Sequence, residues 1–284
     1  MKKIGFIDYF IDEWHANNYP RLIRESPFGN EFKVALAWAL IDPPGKKPLD
    51  AWCLEHGIGK ARSIEDVVEN CDCLVVLSPD NVEQHESLAA LPLRSGKPVY
   101  IDKPFAPDLK TAQSFFDRAR THKTPLMSSS ALRFAPELRR VLAEKIAGRP
   151  VHFMATGGPG VFHVYAIHQL EMLAMTLGVG ANRVMHIGND YSDVMAVHYP
   201  DGRRGVINLA PGYEFGFLAA YGEREYAGSE RLEGFFEEFV KAMLLFFKTG
   251  ESPVEEAQTL EIIALLEAGM SARKKQDEWF YVPR

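Results

Sequence analysis

The chain has 284 residues, 46% of them hydrophobic and 25% charged, which fits a folded globular protein with room for two domains and a sizeable core. A net charge of −6 excludes a general nucleic-acid or anionic-membrane surface, and no apolar run reaches the length of a bilayer span. Three cysteines, Cys53, Cys71 and Cys73, are too few for a disulfide framework and point to a reducing, cytoplasmic setting. Asp8 and Asp12 interrupt the brief apolar stretch after Lys2 and Lys3, which argues against a secretory leader.

Residues 1–128 alternate strand and helix signals. Strands are predicted at 3–7, 33–39, 73–77, 98–101 and 125–128, with helices at 14–24, 49–56, 64–69, 82–93 and 109–121. The strands are short and almost wholly apolar ("CLVVL", "PVYI"), as strands buried on both faces are. The pattern predicts a Rossmann-like, doubly wound parallel sheet. Asp108 is placed to cap the helix at 109–121, where Leu109, Ala112, Phe115, Phe116 and Ala119 form one stripe. After about Ser129 the pattern changes. A helix at 135–147 stops at Gly148, and strands follow at 151–156, 183–188, 194–199, 205–209 and 215–221. Asp201-Gly202 marks a hairpin turn. Further helices are predicted at 165–177, 231–248 and 254–274. Residues 129–284 are therefore expected to form an α+β domain with a mostly antiparallel open sheet.

The first strand-to-helix turn reads "DYFIDEWH". In a dinucleotide-binding fold, glycines here give the tight turn, let backbone approach the pyrophosphate, and let helix and strand pack closely. Asp8, Phe10 and Glu13 occupy the approximate glycine positions. Phe10 adds bulk, while Asp8, Asp12 and Glu13 bring negative charge toward a negative ligand. Like charges about 4 Å apart repel by roughly 1 kcal/mol in water and roughly 4 kcal/mol at an effective dielectric of 20. Ordinary pyrophosphate docking is expected to be impaired, unless the carboxylates point away in a reshaped turn. Asp8, Asp12, Glu13 and His15 also offer oxygen and imidazole ligands, but the spacing matches no known metal loop. A solvated helix N-terminus whose acids complement the dipole is the simpler reading, and no metal is expected. Asp42 either accepts hydrogen bonds from an adenine ribose or begins the Pro43-Pro44 turn, and Lys46 and Lys47 favour a 2′-phosphate only weakly. Cys71 and Cys73, two apart on a strand, read as buried packing.

Four segments in order carry a family resemblance: "VVLSPDNVEQHESLAALPLRSGKPVYIDKPFAPDLKTAQSF", "SALRFAP", "AIHQLEMLAMTLG" and "SPVEEAQTLEIIALLEAGMSARKKQDEWFYVP". Together they resemble the Gfo/Idh/MocA family of glucose–fructose oxidoreductase and inositol dehydrogenase. The resemblance implies an NAD- or NADP-binding Rossmann domain, a second domain for a small-molecule substrate with a last strand after the C-terminal helix, and a homodimer or homotetramer formed through the open sheet. It implies oxidation or reduction at a hydroxyl-bearing carbon of a sugar, polyol or related molecule. The family's Glu-Lys-Pro stretch stands here as Asp102-Lys103-Pro104. Lys103 is then the proton-handling residue, with a surface lysine in a strand-to-helix turn as the alternative. Asp102 orients Lys103 or caps the turn. Ser78-Pro79 and His85 fall where members carry a Ser/Thr-Pro turn and a histidine beside the cofactor.

His168 takes the place of the family's catalytic histidine, or is simply a half-buried helix residue. Val164 stands where an aspartate is usual. Tyr165 and Glu171, each three residues from His168, share its helix face. Arg133 either binds substrate or makes an interdomain ion pair. In the catalytic reading, Lys103 and His168 serve one substrate. The competing reading is a non-catalytic small-molecule-binding or regulatory protein that has lost nicotinamide binding, supported by the missing glycines and by Val164.

Overall fold

The computed structural model describes residues Met1–Arg284, and the chain divides into two compact units. The first comprises Met1–Ser128 and Val240–Val254; the second comprises Ser129–Phe239 and Glu255–Arg284.

The first unit holds a parallel six-stranded sheet. Its elements in chain order are β1 (Lys2–Asp8), α1 (Trp14–Glu25), β2 (Phe32–Ala39), α2 (Leu49–His56), β3 (Gly59–Lys60), α3 (Ile64–Asn70), β4 (Cys73–Val76), α4 (His85–Leu88), β5 (Val99–Ile101), α5 (Leu109–Thr121) and β6 (Leu126–Met127). The strand order is β3-β2-β1-β4-β5-β6. Ile4, Phe6 and Ile7 of β1 and all of β4 are buried, so the apolar runs mark strands covered on both sides. A Cβ at Gly5 would run into Val67 and Cys71, so glycine lets α3 lie close against β1. The winding reverses between β1 and β4, and their carboxyl ends flank the crevice where ligands bind in open α/β sheets.

Local chemistry sets the element ends. Ser63 caps α3, and Asp108 caps α5 by accepting from Thr111 N at 2.7 Å. Gly57, with φ of 65°, closes α2 in the left-handed conformation. The single helix expected at 82–93 is broken into a 3₁₀ turn, the short α4, and a second 3₁₀ turn at Pro92–Arg94. Pro92 has no N–H to continue a helix through that point. The two-residue β3 is too short to leave a sequence pattern. Cys53, Cys71 and Cys73 are all buried and free in this unit. Burial pushes the thiols up, to about 11 for Cys53 and Cys71 and about 12 for Cys73.

Val240–Val254 joins the first unit through side chains the strand-helix alternation does not announce. Phe247 packs on Phe32 with ring centroids 6.4 Å apart, Lys2 donates to Phe247 O, and Lys248 pairs with Glu31 at 2.8 Å.

The second unit contains α6 (Pro136–Arg140), β7 (Val151–Gly158), α7 (Phe162–Leu177), β8 (Arg183–His186), β9 (Asp193–His198), β10 (Arg204–Leu209), β11 (Gly216–Tyr221), β12 (Glu225–Ser229), the start of α8 (Phe235–Thr249), α9 (Glu256–Ala272) and β13 (Trp279–Tyr281). Its seven strands run β12-β11-β7-β10-β9-β8-β13, antiparallel except for the β7–β10 pair. Asp201-Gly202 forms the turn between β9 and β10, with Gly202 at φ of 99°. A Cβ at Gly205 of β10 would meet Leu173, so α7 presses directly on the sheet. The helix expected at 135–147 is α6 followed by a wider π-type turn over Val141–Ile146, ending at left-handed Ala147. The strand β12, with the sequence EYAGS, was not expected, because it carries too few apolar residues to alternate. No helix is long and apolar enough to cross a membrane.

Candidate active site

The carboxyl ends of β1, β4 and β5 deliver Asp8, Ser78, Asp102 and Lys103 to one end of the first unit's sheet, and α1 adds Glu13, His15 and Tyr19. Asp102 is the centre of this cluster and has no solvent exposure. Its Oδ2 is hydrogen-bonded to His15 Nδ1, and Oδ1 accepts from the Tyr100 hydroxyl at 3.0 Å and from Lys103 N at 2.8 Å. Burial alone would raise this carboxyl. The charge and hydrogen bond of His15, with the Lys103 ammonium, outweigh it and hold the group at about 2. An ionised Asp102 makes His15 Nδ1 the donor of the bond between them. His15 stacks on Tyr19 with centroids 5.1 Å apart. Lys103 is only 8% exposed and precedes Pro104 through a cis peptide bond. Asp102 therefore holds the Lys103 backbone N–H and sets an opposite charge beside the lysine.

The β1–α1 turn departs from the solvated helix N-terminus expected from sequence. Asp8, Glu13 and His15 are buried, at 1%, 6% and 8% exposure. Asp8 Oδ1 accepts from Tyr9 N at 2.7 Å and from Ser78 Oγ at 2.8 Å, while Oδ2 is buried without a partner. Burial pushes Asp8 up to about 8; burial and the nearby charge of Asp8 push Glu13 up to about 8. Glu13 folds back as the cap of α1, accepting from His15 N at 2.7 Å and from Ala16 N. The turn is thus filled by Glu13, with Phe10 only half-buried and Trp14 exposed. Phe10 lies under the Lys46 ammonium, 5.2 Å from the ring centroid. Asp12 turns away to accept from Asn17 Nδ2 and Lys47 N.

This arrangement does not fit a dinucleotide pyrophosphate in its usual place. The backbone donors at the start of α1, which would hold phosphate oxygens, are taken by Glu13, and no glycine lies between Asp8 and Trp14 to admit the ligand. Asp42 caps α2, accepting from Leu49 N at 2.8 Å, so its carboxylate serves the turn that follows the prolines. Ser78 holds φ of 79°, a left-handed backbone rare for serine and costing roughly 1–3 kcal/mol, secured by its contacts with Asp8 and Tyr9. Pro79 behind it is buried. His85 is fully buried with Nδ1 against Phe105 O at 3.1 Å, and burial lowers its pKa. Its contact ties the start of α4 to the segment after Lys103.

In the second unit, α7 begins at Phe162, three residues earlier than the sequence pattern places it. His168 Nδ1 shares a 2.6 Å hydrogen bond with Ser130 Oγ, and its ring lies between Tyr165 and Phe215, with centroids 5.6 and 5.7 Å away. Tyr165 is therefore beside His168, as the three-residue spacing requires, and Val164 contributes only a half-buried aliphatic group. Glu171 reaches His168 through Ser130, whose backbone N–H donates to Glu171 Oε1 at 3.0 Å. Arg133 Nε donates to Glu171 Oε2 at 2.7 Å and Nη1 to Gln258 Oε1 at 2.6 Å. The Arg133–Glu171 pair is buried and lies within the second unit, not between domains. Ser130, Gln258, His15, Tyr19 and Tyr100 complete the two clusters. Only His15 had drawn notice in the sequence, and there as a metal ligand. No group of three or more His, Cys, Asp or Glu side chains is placed to hold a metal.

Comparison with known proteins follows the same lines. Residues 25–130 match the Gfo/Idh/MocA family model, described as an oxidoreductase family with an NAD-binding Rossmann fold. The dehydrogenase aclE of Aspergillus oryzae is 25% identical over 202 residues, covering 62% of this chain and 55% of that protein. The 1,5-anhydro-D-fructose reductase of Ensifer adhaerens is 33% identical over 107 residues, covering 36% of this chain and 32% of that protein. The matched stretch thus spans about half the length of the first relative and about a third of the second. The scyllo-inositol dehydrogenase of Lactobacillus casei, solved with NAD(H) and scyllo-inositol bound, superposes with a TM-score of 0.78 over 99% of both chains at 14% identity, a likeness of fold.

Proposed function

We propose that this chain, whose residues 25–130 match the Gfo/Idh/MocA oxidoreductase family model, is an oxidoreductase acting on the hydroxyl- or carbonyl-bearing carbon of a sugar, polyol or related small molecule. The observation that carries this reading is Lys103. A nearly buried ammonium stands at the carboxyl end of a parallel sheet, beside an ionised Asp102 that also fixes its backbone. A lysine so placed donates a hydrogen bond to a substrate oxygen and exchanges a proton with it as carbonyl and hydroxyl interconvert. In the second unit, His168, held at Nδ1 by Ser130, and Tyr165 on the same helix face are the candidates for contact with substrate. Arg133 and Glu171 act as positioning residues through Ser130 rather than by touching substrate.

NAD and NADP are the dinucleotides the family reading supplies; Asp42, engaged with α2, gives no basis for choosing between them. The test is turnover of a panel of sugars, inositols and their keto forms with each dinucleotide, followed by nicotinamide absorbance. Activity on at least one, lost by about 10²-fold or more in Lys103→Ala with the fold intact, is the expected result. Retained turnover in that variant would exclude Lys103 as the proton-handling group. A second reading, a non-catalytic small-molecule-binding protein, is favoured by one observation, the Glu13 carboxylate on the α1 donors. Failure of NAD⁺, NADH, NADP⁺ and NADPH alike to bind at millimolar concentration would select it.

A further inference from the structure

We propose that Glu13 is a built-in surrogate for phosphate: its carboxylate and a diphosphate compete for the same two backbone donors at the start of α1. The inference rests on the family reading only for where a dinucleotide would dock. A helix presents its first N–H groups without internal partners, and phosphate oxygens or a capping side chain satisfy them equally well. Here Glu13 Oε2 accepts from His15 N at 2.7 Å and Oε1 accepts from Ala16 N, so both carboxylate oxygens are engaged. The side chain is 6% exposed, and therefore sits inside the turn rather than passing over it.

Three features make the competition costly for a ligand. Ile11 is buried and Glu13 N donates to Ile11 O at 2.9 Å, so the turn closes on itself instead of opening outward. Asp8 and Asp102 act on Glu13 as like charges, which His15 only partly offsets, while Asp102 has both His15 and Lys103 against it. The nearby lysines are spent elsewhere: Lys46 lies over Phe10, and Lys47 contributes its backbone N–H to Asp12 and its ammonium to Glu55. A diphosphate binding at α1 must expel Glu13 into this acidic surround, so affinity is set by how readily that side chain leaves.

The test measures ADP binding by calorimetry, which needs neither nicotinamide nor substrate, in the wild type, Glu13→Gly and Glu13→Ser. Glycine vacates the donors; serine keeps a short cap and guards against loss of fold. ADP affinity is expected to rise about tenfold or more in Glu13→Gly, and by a smaller factor in Glu13→Ser. Affinity unchanged or weakened in whichever variants fold, Glu13→Ser deciding if glycine unfolds the turn, overturns the proposal. Tighter ADP binding without dinucleotide-dependent turnover by the wild type leaves this inference standing and removes the proposed activity. Turnover by the wild type with ADP affinity unmoved by either substitution does the reverse.

Discussion

Two regions of this protein bury carboxylates by opposite means. In the second unit, Glu171 is matched by the Arg133 guanidinium, with Glu171 Oε1 tied to Ser130 N and Arg133 Nη1 to Gln258. In the first unit, Asp8 and Glu13 lie equally deep but receive only hydroxyl and backbone N–H donors. The difference teaches how each cluster responds. A paired carboxylate fixes its surroundings and fails abruptly when its partner is removed. An acid buried with neutral donors answers to pH instead, because burial favours its protonated form.

The sharpest way to break the comparison is to remove the guanidinium. Arg133→Ala leaves the Glu171 charge buried and should cost about 3–5 kcal/mol in denaturant unfolding. A cost below about 1 kcal/mol would erase the distinction drawn between the two regions. Next comes pH. An acid with a raised folded pKa keeps a proton that the unfolded chain gives up, so stability falls as pH rises from near 4 toward 8. Each such group contributes at most about 1.4 kcal/mol per pH unit. Asp8→Asn should remove roughly 1–2 kcal/mol of the decline between those limits; identical slopes for variant and wild type would contradict the burial argument. Asp102 has the reverse sign, its contribution being lost as pH drops from near 4 toward about 2. A smaller effect sharpens the second-unit side. Ser130→Ala takes away the hydroxyl between His168 and the ion pair and should cost about 1 kcal/mol, read from the unfolding midpoint, while lowering turnover. Smallest is His163→Ala, exposed on the first turn of α7, expected within about 0.5 kcal/mol of wild type with activity intact.

The sheet of the first unit was legible because its strands are buried on both faces and because α5 carries its cap, Asp108, in sequence. The second sheet was legible in outline, from alternation and the Asp201-Gly202 turn. What escaped notice was non-local. Nothing near Phe247 says that it packs on Phe32, and nothing in EYAGS says that β11 has an open edge to receive it. The sites divide in the same way. Lys103 and His168 stand out by residue type and setting. The carboxylates of the first turn were visible too, but their orientation depends on Ser78, seventy residues away from Asp8, and on α1 beginning one residue after Glu13. Periodicity cannot report whether an acid beside a helix points out to water or back onto the backbone. Ser130 escaped notice altogether, since its meeting with His168 and Glu171 spans 38 and 41 residues.

The placement of the three thiols has a practical consequence. Every cysteine of the chain lies in the first unit, buried, with its ionisation suppressed. An alkylating reagent attacks thiolate, so the native protein should resist modification until that unit opens. The rate of label uptake is then a clock for the opening of the dinucleotide-type lobe alone, silent about its neighbour, and ready to use without engineering.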